Sequence, residues 1–204
     1  MGTGPRAIDA LRQCIRDAAH AGADWIQIRE KDLSGSELFE LVRFAVAAAR
    51  GSHTKILVND RLDVAVAAEA SGVHLGEASL PVEAVSQWRR VKGRDDFLIG
   101  ASCHSLSSAL KAGECGADYI YFGPVYATPS KAAYGPAQGI ARLREVCSDV
   151  QIPVIAIGGI TVQNAAECIA AGAAGIAAIR MFQQQQDLAA VVNRLHDISP
   201  AQKS

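Results

Sequence analysis

Short apolar runs and helical patterns alternate along nearly the whole chain, and this alternation limits the possible folds more than any other feature. Seven runs are rich in β-branched, aromatic or other apolar residues and have the length of strands, and segments with helical spacing of apolar residues separate them. The runs are Trp25–Arg29, Lys55–Val58, Gly72–Leu75, Phe97–Ala101, Tyr119–Phe122, Pro153–Ile157 and Gly175–Ile179. Such alternation predicts a parallel sheet in an α/β domain. No Pro- or Ser-rich linker divides residues 1–204, so we expect a single domain.

Polar residues cluster directly after almost every run, which favours a barrel with its site at the carboxyl ends of the strands. Such a TIM (β/α)8 barrel needs eight strands, and the first should precede the helical pattern that begins at residue 6. The five residues before that pattern are too few for a strand of ordinary length. We therefore expect a TIM barrel whose first strand is missing, because the chain starts late or because the barrel is open at one position. A flavodoxin-like open sheet is the alternative.

The charge balance and the apolar pattern argue against several classes of protein. Lys plus Arg total 20 and Asp plus Glu total 21, a net charge of −1, whereas a general nucleic-acid binder would show a basic excess. The apolar runs are shorter than the roughly 20 residues that span a bilayer, and the N-terminus has no signal-peptide core. The five cysteines show no CxxC spacing, which favours reduced thiols and a cytoplasmic protein.

The segment that follows the run Tyr119–Phe122 has the composition of a phosphate-binding loop. Gly123 and Pro124 end the strand, and Thr128, Ser130 and Lys131 follow within a few residues. Two hydroxyls and an ammonium group can together bind a phosphate ester. In a parallel α/β protein, a loop at the carboxyl end of a strand is where ligands bind.

Six motifs, each at the end of a predicted strand, resemble those of the thiamine phosphate synthase family. They are Gln27–Lys31, Asn59–Arg61, Gly72–Gly76, Ser102 with His104, Gly123–Lys131 and Ala156–Ile160. The resemblance implies a TIM barrel that joins a hydroxymethylpyrimidine diphosphate to a thiazole phosphate, giving thiamine phosphate and pyrophosphate. It also implies Mg²⁺ as the cofactor, and a reaction in which the pyrimidine C–O bond ionises before the thiazole nitrogen captures the cation.

The resemblance assigns roles to individual residues. For the pyrimidine diphosphate it implies contacts from Gln27, Ile28, Arg29, Glu30, Lys31, Asn59, Ser102 and Lys131, and the catalytic candidates among them are Arg29, Lys31, Ser102 and Lys131. For the thiazole phosphate it implies contacts from Thr128, Pro129, Ser130, Gly159, Ile179 and Arg180. Asp60 matches a magnesium ligand. Strand alternation independently places Gln27, Arg29 and Lys31 on one side of an extended chain, where the two cations suit a diphosphate.

The chain departs from the family pattern at two places. The resemblance implies a polar end on the family's first strand that helps line the pocket, and we expect that contribution to be missing from residues 1–204. The family usually has an Asp, its second magnesium ligand, where this chain has Ser79. A serine hydroxyl is a neutral and weaker ligand, so we expect a lower affinity for Mg²⁺. Glu77, two residues earlier, would replace the lost charge if its loop turned it inward.

Two other functions stay open at this point. The thiazole tautomerase, an isomerase of the same superfamily, is favoured by the loss of an Asp at position 79. The intact diphosphate motifs count against it, and so does Pro124, where we expect a histidine in the tautomerase. A non-catalytic barrel that binds thiazole phosphate is the third function. We expect His74 and His104 to be packed and hydrogen-bonded rather than catalytic or metal-bound, and a homodimer stays open.

Overall fold

Seven strands and nine helices make up the described part of the chain, which comprises residues 5–128, 136–183 and 187–198 of a computed structural model. The strands are β1 (Trp25–Ile28), β2 (Lys55–Asn59), β3 (Gly72–Leu75), β4 (Leu98–Cys103), β5 (Tyr119–Phe122), β6 (Val154–Ile157) and β7 (Gly175–Ala177). They form one parallel sheet in sequence order. The helices are α1 (Pro5–His20), α2 (Gly35–Ala48), α3 (Leu62–Ala67), α4 (Val82–Lys92), α5 (Leu106–Glu114), α6 (Gly139–Asp149), α7 (Ala165–Ala170), α8 (Arg180–Gln183) and α9 (Leu188–Ile198). The predicted α/β alternation is confirmed.

The last strand is shorter than predicted. It ends at Ala177, and Arg180 already begins the short helix α8. The carbonyl of Ile179 accepts hydrogen bonds from the N–H groups of Phe182 and Gln183, so the chain turns into a helix at this point. The apolar run therefore extends past the strand, and Ile179 is left 58% exposed.

Large side chains on the inner face of the curled sheet fill the centre of the barrel. Leu57, Tyr119, Tyr121 and Ile155 form a buried inner cluster. Gly100 makes room for it, because a Cβ atom at this position would lie 2.1 Å from Cζ of Tyr119. The polar residues of the strand ends lie beyond this cluster, at the carboxyl rim of the sheet.

The outer faces of the strands pack against the helices in two clusters. One cluster, around Val42, Val58 and Val73, joins the first half of the sheet to its helices. The other, around Ile120 and Leu143, does the same for the second half. Rigid packing on both sides of each strand fixes the positions of the strand ends, and hence of the site.

One side of the barrel is open. Strands β1 and β7 are the edges of the sheet, and no pairing joins them within the described residues. Helices α1 and α9 contact each other on this side. His196 Nε2 of α9 lies 3.0 Å from Oδ2 of Asp24, directly before β1. The expectation of a TIM-type barrel that lacks one strand is confirmed.

Among the described helices, none combines the length and apolar character needed to cross a membrane.

Candidate active site

Side chains at the ends of β1 and β2 are joined by hydrogen bonds at the carboxyl rim. Gln27 Nε2 donates to Asn59 Oδ1 at 2.8 Å, and Asn59 Nδ2 donates to Asp60 Oδ2 at 2.6 Å. The three residues come from adjacent parallel strands, so their side chains meet because both strands end at the same rim. Three residues that the sequence assigned to diphosphate and metal binding are thus brought together.

Asp60 is the centre of this group. Its φ of 62° lies in the left-handed region, which Asp tolerates better than most residues. Its Oδ1 accepts a hydrogen bond from the N–H of Gly76 at 3.2 Å and another from the hydroxyl of Ser79. Ser79 Oγ also accepts from Gly76 N at 2.6 Å. Ser79, at the position where the resemblance implies an Asp, therefore lies directly beside the Asp60 carboxylate.

Glu77 lies on the same loop as Ser79, but it is exposed and is not brought into contact with Asp60. Burial, and to a smaller extent the charge of Glu77, raises the pKa of the Cys103 thiol to about 11. The hydrogen bond between Ser79 and Asp60 favours Ser79 over Glu77 as the side chain that would bind a ligand together with Asp60.

The segment after β1 presents its charges to solvent. Arg29 and Lys31 are exposed, and neither forms an ion pair or side-chain hydrogen bond with another described residue. Glu30 is half-buried. Ile28 is 4% exposed and packs in the outer cluster, so only its backbone is available to a ligand. The two cations remain available to an anionic substrate.

Ser102, at the end of β4, is held by a buried histidine. Its Oγ lies 2.9 Å from His74 Nε2, and His74 Nδ1 lies 3.1 Å from the hydroxyl of Tyr119. Burial raises the pKa of both Tyr119 and Tyr121, so both hydroxyls stay protonated at neutral pH. His74 is packed and hydrogen-bonded, as predicted. Its bond to Ser102 was not predicted, although strand alternation in the right register places both side chains on the inner face.

A second group lies at the ends of β5, β6 and β7. Arg180 Nη2 donates to Thr128 Oγ1 at 3.0 Å. Gly159, at φ 67°, lies so close to the loop after β5 that a Cβ atom would lie 2.8 Å from the carbonyl oxygen of Tyr126. No acceptor for the Gly159 N–H lies among the described residues. Loops after the last two strands of such barrels, with a short extra helix, commonly bind phosphate.

Three of the predicted site residues, Pro129, Ser130 and Lys131, lie outside the described residues. Ile179 is exposed at the rim beside Arg180. Sequence reasoning missed Asn164, whose Nδ2 donates to the Gly159 carbonyl at 3.2 Å and whose Oδ1 accepts from Thr161 N–H at 2.8 Å. An Asn just before a helix is a common capping signal. Here its side chain makes no capping bond to α7 and supports the glycine turn instead.

Comparison with known proteins identifies the family. Residues 3–182 match the profile of the family described as thiamine monophosphate synthase. The chain is 43% identical to the thiamine-phosphate synthase of Methanoculleus marisnigri, over 93% of this chain and 88% of the relative. The chain belongs to the thiamine-phosphate synthase family. It is 39% identical to the Methanospirillum hungatei thiamine-phosphate synthase, over 91% of this chain and 88% of that relative.

The structural comparison agrees with this family assignment. The thiamine phosphate pyrophosphorylase of Pyrococcus furiosus superposes with a TM-score of 0.83 at 34% identity, covering 95% of this chain and 91% of that one. A 3-hexulose-6-phosphate synthase structure, at 15% identity and a TM-score of 0.72, shares the fold alone and covers 95% of each chain. As a member of the thiamine-phosphate synthase family, the chain is an enzyme of thiamine biosynthesis, a transferase that forms thiamine phosphate.

Proposed function

We propose that this chain joins a hydroxymethylpyrimidine diphosphate to a thiazole phosphate by a dissociative route. The C–O bond between the pyrimidine methylene and the diphosphate breaks, and the electron pair leaves with pyrophosphate. The thiazole nitrogen then donates its lone pair to the pyrimidine methylene cation, and the new C–N bond gives thiamine phosphate. No proton needs to move for either bond change, so the site has to stabilise charge and exclude water rather than supply an acid or base.

The observation that carries this proposal is the hydrogen-bonded group at the ends of β1 to β3. Gln27, Asn59 and Asp60 are mutually oriented before any substrate arrives. The cations Arg29 and Lys31 follow β1 directly in the chain and are exposed. Preorganised polar groups with unpaired cations suit a leaving diphosphate, whose negative charge grows as the C–O bond breaks.

The donors near Asp60 fit a magnesium ion. They are hard oxygen atoms, the Asp60 carboxylate and the Ser79 hydroxyl, and proteins commonly bind Mg²⁺ through one or two carboxylates plus substrate phosphates and water. Among the described residues no group of three His, Cys, Asp or Glu side chains could hold a metal by itself. A Mg²⁺ ion would therefore be held jointly by Asp60, Ser79 and the diphosphate, where it would supply charge neutralisation for the leaving group.

The thiazole phosphate is assigned to the opposite side of the rim. The N–H of Gly159 and the side chains of Thr128 and Arg180 are the donors that support this assignment. Ser130 and Lys131 stay assigned to the phosphate and the diphosphate on sequence grounds. Binding at opposite sides would let the thiazole nitrogen approach the cation over the centre of the barrel.

The test is product formation from both substrates with Mg²⁺, measured as thiamine phosphate, for the wild-type chain and two matched variants. Asp60→Ala should lower kcat/KM by about a hundredfold or more, because the loss of a metal ligand removes several kcal/mol of charge stabilisation. Asp96→Ala removes an exposed carboxylate before β4, at the other end of the barrel, and should leave kcat/KM unchanged.

Absence of thiamine phosphate with the wild-type chain would overturn the proposal. The thiazole carboxylate tautomer alone would then be the next substrate. Turnover of that compound would identify an isomerase, and binding of thiazole phosphate without turnover would identify a binding protein.

A further inference from the structure

His74 is a buried polar side chain to which the proposed reaction assigns no role. Its side chain is only 1% exposed. Burial of a polar group is costly unless its hydrogen-bonding atoms have partners. Both ring nitrogens of His74 have one, Ser102 on β4 and Tyr119 on β5.

The three residues meet because of a glycine between them. The strand register pairs His74 with Gly100, and Gly100 with Tyr119. A Cβ atom at Gly100 would lie 2.3 Å from the Tyr119 hydroxyl oxygen. The absent side chain therefore lets a residue of β3 and a residue of β5 touch across β4. The hydrogen-bonded chain runs from the centre of the barrel to Ser102 at the rim.

The direction of these hydrogen bonds decides what Ser102 can offer a ligand. A neutral imidazole has one N–H donor and one acceptor nitrogen. If the Tyr119 hydroxyl donates to Nδ1, then Nε2–H donates to Ser102 Oγ, and the Ser102 proton is left for another acceptor. In the opposite tautomer, Ser102 donates to Nε2 and can only accept. A diphosphate has only acceptor oxygens, so it requires the first arrangement.

We propose that His74 is a positioning residue, which holds Ser102 as a hydrogen-bond donor to the diphosphate by donating from Nε2–H. This inference rests on the proposed function, because it needs a diphosphate beside Ser102. His74 does not touch the substrate in this arrangement. Its effect is confined to the diphosphate substrate and to the product pyrophosphate, and it acts through Ser102 alone.

Two variants of His74 separate this role from simple packing. His74→Gln can place an amide N–H where Nε2–H lies, whereas His74→Asn is shorter and cannot reach Ser102. His74→Asn should raise KM for the pyrimidine diphosphate about tenfold, as expected for a lost hydrogen bond to a charged group. His74→Gln should restore most of this loss. KM for the thiazole phosphate should not change in either variant.

A double-mutant cycle with Ser102→Ala tests whether His74 acts through Ser102. In the Ser102→Ala background, His74→Asn should change KM for the diphosphate by less than about twofold, because residues that act through one contact are not additive. If the fold-changes in KM caused by His74→Asn and Ser102→Ala multiplied in the double variant, the inference would be overturned. Equal shifts in KM for both substrates would also overturn it. If His74→Asn does not fold, Tyr119→Phe is the second variant, because it keeps the aromatic ring and removes only the hydroxyl. It should cause a smaller rise in KM for the diphosphate. This rise should be absent in the Ser102→Ala background.

Calorimetric titration with inorganic pyrophosphate and Mg²⁺ keeps the two proposals distinguishable. Weaker pyrophosphate binding in His74→Asn, with recovery in His74→Gln, supports the positioning role even if the wild-type chain forms no thiamine phosphate. Equal pyrophosphate affinity in the wild type and His74→Asn would overturn the positioning role while leaving the proposed reaction intact.

Discussion

The two sides of the rim are built in different ways. On the side of β1 to β4, side chains hold one another. Gln27, Asn59, Asp60 and Ser79 form one hydrogen-bonded group, and Ser102 is held by His74 from below. On the side of β5 to β7, the described residues form a close-packed glycine turn, which Asn164 supports, and a side-chain bond between Arg180 and Thr128.

This difference matches the chemistry expected at each side. The diphosphate side has to stabilise charge that develops during bond breaking, which favours donors and a carboxylate fixed in advance. The phosphate side has only to hold a group that does not react, and backbone N–H groups at a tight turn are sufficient for that. Substitutions should therefore affect the diphosphate and its bond breaking at the first side, and only the binding of the thiazole phosphate at the second.

The largest effect on the phosphate side should come from Gly159→Ala. The new Cβ would lie within 3 Å of the Tyr126 and Ala127 carbonyl oxygens, and φ is positive, so the loop after β5 has to move. We expect KM for the thiazole phosphate to rise more than about tenfold, and the unfolding midpoint to fall by several degrees. The matched control is Gly51→Ala, where φ is also positive but nothing lies within 4 Å. It should cost about 1 kcal/mol of stability and leave KM unchanged. Equal KM effects in the two variants would contradict the close-approach argument.

Much of this arrangement could be predicted from the sequence, because parallel strands bring their carboxyl ends to one rim. Gln27 lies near the end of the first strand and Asn59–Asp60 at the end of the next, so both were expected at the same rim. The register between strands was not available, so the contact of His74 with Ser102 across Gly100 could not be foreseen. Long-range contacts of this kind depend on packing that periodicity does not encode.

The end of β7 is a second place where the sequence pattern did not predict the structure. The apolar run Gly175–Ile179 looks like one strand, yet its last residues turn into α8. That turn brings Arg180 to Thr128, which is 52 residues earlier in the chain. The family resemblance implied that Arg180 contacts the thiazole phosphate, but the sequence did not show what holds its side chain. Its bond to Thr128, a second residue assigned to the same phosphate, favours the contact.

The variant Arg180→Met tests whether the charge beside Thr128 serves only the binding of the thiazole phosphate. If Arg180 donates to the thiazole phosphate, its removal should raise KM for that substrate about tenfold, while kcat and KM for the diphosphate stay nearly constant. Arg94→Met is the control, since Arg94 lies before β4 at the opposite end of the barrel and pairs with Asp96. An unchanged KM in Arg180→Met would show that the guanidinium faces solvent during turnover.

Ser79→Asp should have the smallest effect on turnover and the most specific one on the metal. A second carboxylate beside Asp60 adds a charged oxygen ligand, so the affinity for Mg²⁺ should rise several-fold at fixed diphosphate concentration. In the absence of Mg²⁺, the two carboxylates repel each other and Asp60 loses the hydrogen bond from Ser79, so the metal-free variant should be less stable than the wild type. Titration with Mg²⁺ in the presence of pyrophosphate, together with thermal unfolding with and without the metal, measures both effects.

Glu77→Gln is the control, because Glu77 does not contact Asp60, and it should leave the Mg²⁺ affinity unchanged. A fall in Mg²⁺ affinity in Glu77→Gln would instead show that Glu77 replaces the missing family Asp, and that the loop turns inward when substrate and metal bind.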